Sequence, residues 1–139
     1  MIITICGSMQ FSEQMLEVKK KLEQQGHQTI VPSTTNQYVG KSAEEKTKLT
    51  LYEKNEKDAI KDHWEKIKVS DAILVLNYDK KGISNYIGGN TMLEIGFAHV
   101  LNKKIFLLNP IPEIEFYKSE IIAVKPIVIN GKLENINLF

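Results

Sequence analysis

The stretch that most limits the fold is the first one. Ile2–Cys6 (IITIC) is a short, unbroken apolar run rich in β-branched residues, the pattern of a strand buried on both faces of a parallel sheet. Gly7-Ser8-Met9 ends it. Ser12 is placed to cap a helix whose inner face is Met15, Val18 and Leu22, and Gly26 stands where such a helix needs a left-handed terminus. His27–Val31 is then a second strand, stopped by Pro32. Strand, turn, helix, glycine, strand is a βαβ unit, and such a unit commits its two strands to run parallel.

The rest of the chain continues the alternation. Ser33–Ser42 is polar, contains Gly40 and reads as a loop. Ala43–Val69 sets Leu49, Leu51, Tyr52, Ala59, Ile60, Trp64 and Ile67 among Glu and Lys, which predicts helix with a break near Leu51–Asn55 and solvated charged faces. Asp71–Asn77 (DAILVLN) is another buried strand, and Tyr78–Gly88 a long loop. The helix that carries Glu94 follows this loop, is ended by Asn102, and leads to a strand at Lys104–Leu108 that Pro110 and Pro112 terminate. Glu113–Ile122 is a short helix or an ordered loop, and Pro126–Ile129 is a last strand before the Asn130-Gly131 turn. The expectation is a single α/β domain over residues 1–139, with a mostly parallel five-stranded sheet and helices on both faces. Ligands of such sheets bind beyond the carboxyl ends of the strands. The loops Gly7–Phe11, Ser33–Ser42 and Tyr78–Gly88 fall at that edge.

Composition narrows the function. A formal net charge of +1 argues against a nucleic-acid surface or a polybasic membrane patch. One cysteine, Cys6, rules out an internal disulfide and suits a reducing compartment. The Met1–Cys6 run lacks the basic flank of a signal peptide, and no apolar stretch is long enough to span a bilayer, so a cytoplasmic location is expected.

Glu94 stands out against this background. In Ile87–Leu101 (IGGNTMLEIGFAHVL) it is the one residue charged at neutral pH when His99 is neutral. A helix that is apolar all round is usually buried, and a carboxylate on it is costly unless it is paired, hydrogen-bonded or useful. Thr91-Met92-Leu93-Glu94 also fits a capping box, in which Glu94 merely satisfies first-turn amides. The two readings separate by geometry. A capping Glu94 bonds back to the Thr91 amide, and a reactive one faces an open pocket.

Other motifs are weaker. Cys6-Gly7-Ser8 between a strand and a helix is either a tight βα turn or a place where the backbone approaches an anion. The G-x-G-x-x-G fingerprint is absent, and Gly40-Lys41-Ser42 lacks the first glycine of a P-loop. His27 and His99 are scattered, no spacing suggests a metal site, and no G-x-S-x-G elbow supports a serine nucleophile. Asp62, His63 and Asp71 are the remaining titratable candidates near the expected cleft, each of which also reads as an ordinary surface residue.

Three pieces in order carry a family resemblance. They are the first strand ending in Cys6-Gly7-Ser8, the strand Ser70–Leu76 (SDAILVL), and the glycine-rich approach to Gly89–Ala98 (GNTMLEIGFA), whose most specific part is Glu94-Ile95-Gly96-Phe97-Ala98, an E-x-G-x-A motif. The chain resembles the nucleoside 2-deoxyribosyltransferase superfamily, which includes the 2′-deoxynucleoside 5′-phosphate N-hydrolases. The resemblance implies a Rossmann-like or flavodoxin-like fold and a small-molecule nucleoside or nucleotide substrate. It implies cleavage or transfer at the N-glycosidic bond, with Glu94 as nucleophile and Asp62, His63 or Asp71 assisting. By the same resemblance Cys6, Gly7, Ser8, Met9, Gly88, Gly89 and Asn90 surround the sugar or phosphate. It implies no metal, no organic cofactor, and a homodimer or larger homo-oligomer. The family often carries Asp or Ser six residues before the nucleophile, where this chain has Gly88. The alternative reading is a non-catalytic nucleotide-binding module that uses the same cleft.

Overall fold

The structure is a computed structural model and describes all 139 residues. Five strands form one sheet: β1 (Ile2–Cys6), β2 (Gln28–Ile30), β3 (Ala72–Val75), β4 (Lys104–Leu107) and β5 (Ile127–Val128). Their order is β2-β1-β3-β4-β5 and every pairing is parallel, where the sequence predicted a mostly parallel sheet. This is the flavodoxin-like order, which switches direction between β1 and β3. The register sets Thr4 beside Ile30 on one side and Ile73 on the other, and Ile73 beside Ile105.

The period-two alternation of these strands divides the core. Ile3, Ile5, Leu74, Leu76, Phe106 and Leu108 pack on one face against Met15, Val18 and Leu22 of α1 (Ser12–Gln24). The C-terminal 3-10 turns at Leu133–Leu138 add Leu133 and Ile136 to that layer. Cys6, Ile73, Val75, Ile105 and Leu107 face the other way, toward the helices that follow.

The loop expected at Ser33–Ser42 contains a single turn, α2 (Thr35–Tyr38). The helical stretch after it is two helices, α3 (Ala43–Glu56) and α4 (Ala59–Lys68). The break lies at Lys57–Asp58 rather than Leu51–Asn55. Asp58 adopts a left-handed φ of 46° and its carboxylate accepts from the Lys61 amide at 3.3 Å, so a cap and a turn coincide there. The capping box of the chain is Ser42–Glu45 at the start of α3, not Thr91–Glu94. Ser12 does not cap α1; it is buried as the first residue of the helix, after a 3-10 turn at Met9–Phe11 that Ser8 caps.

Ile67 of α4, Ile95 and Ala98 of α5 (Gly89–Val100), and Ile121 of α6 (Lys118–Ala123) complete the second layer. Glu113–Ile122 is thus partly loop and partly helix. No helix is long and apolar enough to cross a membrane.

Candidate active site

The site begins with how α5 starts. Its N-cap is Gly88, without a side-chain cap, and Thr91 lies inside the first turn. Glu94 is one turn further in and makes no bond to the Thr91 amide, which excludes the capping reading. Its side chain retains 13% exposure in the wall of a cleft of about 300 Å³, yet Oε2 is sealed from solvent and has no hydrogen-bond partner.

Two side chains from other elements converge on it. Cys6 ends β1 on the helix-covered face and is fully buried. His63 projects from α4 and is nearly as buried. Its Nε2 lies 3.2 Å from Glu94 Oε2, 3.1 Å from the Ile5 carbonyl and 3.6 Å from Cys6 Sγ. The hydrogen-bond geometry is met toward the carbonyl and not toward the carboxylate, so the Glu94 contact is one of proximity and charge. His63 Nδ1 is buried without a partner. Burial raises the Glu94 pKa, against the opposing pull of His63 and the Cys6 thiol. Burial, then the neighbouring Glu94, raises the Cys6 thiol well above its ordinary value. Cys6, His63 and Glu94 each bring a donor atom within 4.8 Å of the others, a set that could converge on one ion. A metal on Nε2 would have to displace the bond to the Ile5 carbonyl.

The turn after β1 forms one side of the cleft. Gly7 has φ 155°, and a Cβ on it would come 3.2 Å from the Leu76 carbonyl, so glycine lets β1 leave the sheet closely against the end of β3. That brings Ser8 and Met9 into the cleft wall. Gly88, Gly89 and Asn90 line it from α5. Asn77 and Asn109 exchange bonds across the ends of β3 and β4, at 2.9 Å and 2.8 Å, and fix the neighbouring sheet edge.

The structure separates the other sequence candidates. Asp62 and His63 are adjacent on α4 and both line a second, neighbouring cavity, but only His63 also lines the cleft that holds Glu94. Asp62 accepts from Ser33 at 2.7 Å and from Lys66 at 3.2 Å, outside the cleft that Glu94 lines. Those two partners hold its carboxyl below the usual range, which suits an anion and not a proton donor. Asp71 opens β3 and therefore sits at the amino edge of the sheet, opposite the cleft, where it accepts from the Ile2 amide at 2.7 Å. Cys6 lies behind Glu94 rather than in the cleft lining.

Sequence reasoning overlooked two groups. α3, left without a role, supplies Thr47, Thr50, Glu53 and Lys54 to the far wall. Lys80 and Tyr86, from the loop before α5, stand at the near end. The signal for the second group was local: Lys81-Gly82 between Lys80 and Ile83 forms a two-residue hairpin with both central φ values positive, at 54° and 71°.

These features define a parallel α/β protein with a carboxylate-bearing cleft at the carboxyl edge of its sheet. No protein-family model matches the chain, and comparison with curated protein sequences gives no match. Among solved structures it is similar to the CMP N-glycosidase BcmB of Clostridium botulinum, with 19% identity, coverage of 100% of both chains and a TM-score of 0.54. A 2-deoxyribosyltransferase from the psychrotolerant bacterium Bacillus psychrosaccharolyticus is matched over 77% of this chain and 71% of its own, at 20% identity and a TM-score of 0.47. The first match establishes a shared fold along the whole chain, and in fold the resemblance read from the sequence is met.

Proposed function

We propose that this protein cleaves or transfers the N-glycosidic bond of a nucleoside or nucleotide, with Glu94 as the nucleophile. The observation that carries the reading is a carboxylate set in the cleft wall with Oε2 sealed inward beside His63, so that the exposure its side chain keeps leaves the other oxygen toward the cleft. That outer oxygen is the one open to an electron-poor carbon in the cleft. The shared fold with a CMP N-glycosidase supports the same class of reaction.

In this reading a Glu94 oxygen bonds to the anomeric carbon as the carbon–nitrogen bond breaks. The bonding pair leaves with the base, which takes a proton from solvent, and solvent regains one from the water of the next step. Water then attacks the glycosyl ester, releasing the sugar and restoring the carboxylate; a second base in place of water gives transfer. His63, its Nε2 3.2 Å from Oε2, is cast as the residue that tunes the charge of the carboxylate. Gly7, Ser8, Met9, Gly88, Gly89 and Asn90 serve the sugar end, and the α3 wall serves the base. Asp62 and Asp71 have no part in this version, because neither lines the cleft that holds Glu94. A homo-oligomer belongs to the same reading: Leu93 and Val100 stand exposed on α5, and sedimentation measures whether a second copy covers them.

The test is chromatography of released base from a panel of nucleosides and 5′-monophosphates, ribo and deoxyribo, with and without an acceptor base, beside Glu94→Ala. Release that vanishes in the variant supports the reading. Gly88, where the family often carries Asp or Ser, favours one rival, a nucleotide-binding module without turnover. No release from any substrate, with a nucleotide raising the melting temperature of both proteins, would put that rival ahead.

A further inference from the structure

α3 is held to the rest of the protein by polar side chains. Of its 14 residues only Lys46 is buried, while Leu51 and Tyr52 are each 51% exposed. A helix of a globular protein is ordinarily kept in place by an apolar face laid on the core. α1, α4, α5 and α6 all give buried apolar side chains to the two core layers, and α3 gives none. Its ties are hydrogen bonds of side chains. Lys46 Nζ donates to Glu13 Oε2 at 2.6 Å and to the Gln10 carbonyl at 3.2 Å. Oε1 of Glu13 accepts from the Gly40 amide at 3.1 Å, so one carboxylate on α1 pins both α3 and the turn before it. Gln10 Nε2 donates to the Ala43 carbonyl at 3.1 Å, and the Thr34 hydroxyl donates to Glu53 at 2.7 Å.

Turns at both ends of α3 can absorb a change of direction. Gly40 has a φ of 80° with open space beside it, and Asp58 a φ of 46°. Between these turns the helix closes its own first turn with the Ser42–Glu45 capping box, so undocking leaves no cap unmet. α3 also walls two cavities. Thr47, Thr50 and Lys54 line the cleft that holds Glu94, whereas Leu49 and Tyr52 line the second cavity, also of about 300 Å³. Glu53 and His63 line both.

We propose that α3 is a lid: it undocks on the Gly40 and Asp58 turns while the sheet stays folded, and its undocking joins the two cavities and bares His63. The ion pair between Lys46 and Glu13 is the latch. Lids are drawn from the least stable parts of a structure, those with few buried apolar contacts, and α3 fits that description. The latch is stronger than a surface pair, because Lys46 is buried and its ammonium makes two hydrogen bonds. The lid is independent of what reacts in the cleft, and so stands or falls apart from the role of Glu94.

Amide exchange of the full chain, followed by mass spectrometry at increasing urea, separates a lid from a rigid wall. Once undocked, a helix of this length is marginal in water, so its amides exchange. Expected is exchange of α3 at least about a hundredfold faster than that of β3, and nearly independent of urea where β3 exchange rises steeply. Lys46→Met should speed α3 exchange by about tenfold to a hundredfold and Glu13→Gln by about tenfold. Lys48→Met, which breaks only an exposed pair with Glu44, should leave it unchanged. Diethyl pyrocarbonate then reads the cleft: labelling of His63, relative to the exposed His99, should rise in step with α3 exchange in the two latch variants. α3 amides that exchange with those of β3, at the same urea dependence, would overturn the lid, as would latch variants that leave α3 exchange unchanged. So would His63 labelling that stays at the wild-type rate while α3 exchange rises, since α3 would then open without baring the cleft.

Discussion

Replacing Glu94 by Gln should make the protein more stable while abolishing its activity. The wild-type carboxylate has a buried Oε2 without a partner, because the nearest N–H, on His63 Nε2, is directed at the Ile5 carbonyl 3.1 Å away. A buried acceptor left unsatisfied costs about 1–3 kcal/mol, and more when it is charged. Gln keeps the shape and removes the charge, so a gain of about 1–2 kcal/mol is expected at pH 8, or roughly 3–8 °C in melting temperature for a chain of this size. The pH dependence has a definite sign. Burial raises the Glu94 pKa above its ordinary 4.5, so the folded state keeps its proton to higher pH than the unfolded chain does. Near pH 4 both states are largely protonated and Glu94 imposes little penalty. As pH rises above the ordinary value the penalty grows, and it levels off once the folded carboxyl has ionised. Urea melts of both proteins from pH 4 to pH 8 should therefore diverge toward alkaline pH. Base release should fall by several orders of magnitude at every pH. A Gln variant no more stable than wild type at pH 8, or a gain of the same size at pH 4, would refute the argument that Glu94 is held ionised against its surroundings.

Three further outcomes follow from the same geometry. Asp71→Ala should lose about 1 kcal/mol of stability with its bond to the Ile2 amide and leave base release intact; a large loss of turnover at unchanged stability would return Asp71 to the site. Glu13 is held down to about 2 by the Lys46 ammonium at 2.6 Å and the Gly40 amide at 3.1 Å, so its contribution is present above its ordinary 4.5 and is lost as pH falls toward 2. Glu13→Gln should flatten the acid limb of a urea-midpoint profile over that range, and an unchanged limb would count against the pairing. Gly88→Ala should lower the melting temperature by crowding the Tyr86 ring at 3.1 Å, whereas Gly89→Ala, whose Cβ meets no protein atom, should melt as wild type; equal melting of the two would show that Tyr86 has room to yield.

The sheet was readable because its strands are buried on both faces. Runs such as IITIC and AILVL hold a single polar residue, the β-branched Thr4, and the glycine and proline boundaries punctuate them. The helix break was misplaced because the polar stretch around Asn55 looks like a natural interruption, while the true one depends on Asp58 taking a left-handed turn and capping α4 with its own carboxylate. The Thr91 cap failed for a comparable reason: Gly88 and Gly89 let the helix begin three residues earlier than a Thr91 cap would set it. Lys80 was invisible as a site residue because nothing in a Lys-Lys-Gly turn says which lysine folds inward.

The choice between Asp62 and His63, by contrast, was available in the sequence and went unused. Ile60, His63 and Ile67 recur at the i, i+3, i+7 spacing of one helical face, and Ile67 is buried against the sheet. His63 shares the phase of the core side chains and so must turn inward. Asp62 is rotated by about 100° from it and pairs with Lys66 one turn on, the pattern of an outward face. Once His63 is inward, the sheet order decides what it meets. β1 lies between β2 and β3, the switch point opens beside it, and β1 ends in Cys6 on the face that α4 and α5 cover. A helix packed there brings its inward histidine to the β1 end, where the carbonyl of Ile5 takes the imidazole proton and Glu94 arrives from α5. The cluster thus follows from helix phase and strand order together. What neither supplies is the missing hydrogen bond on Oε2: one N–H lies between two acceptors and is aligned with the Ile5 carbonyl alone, so the sealed Oε2 goes without.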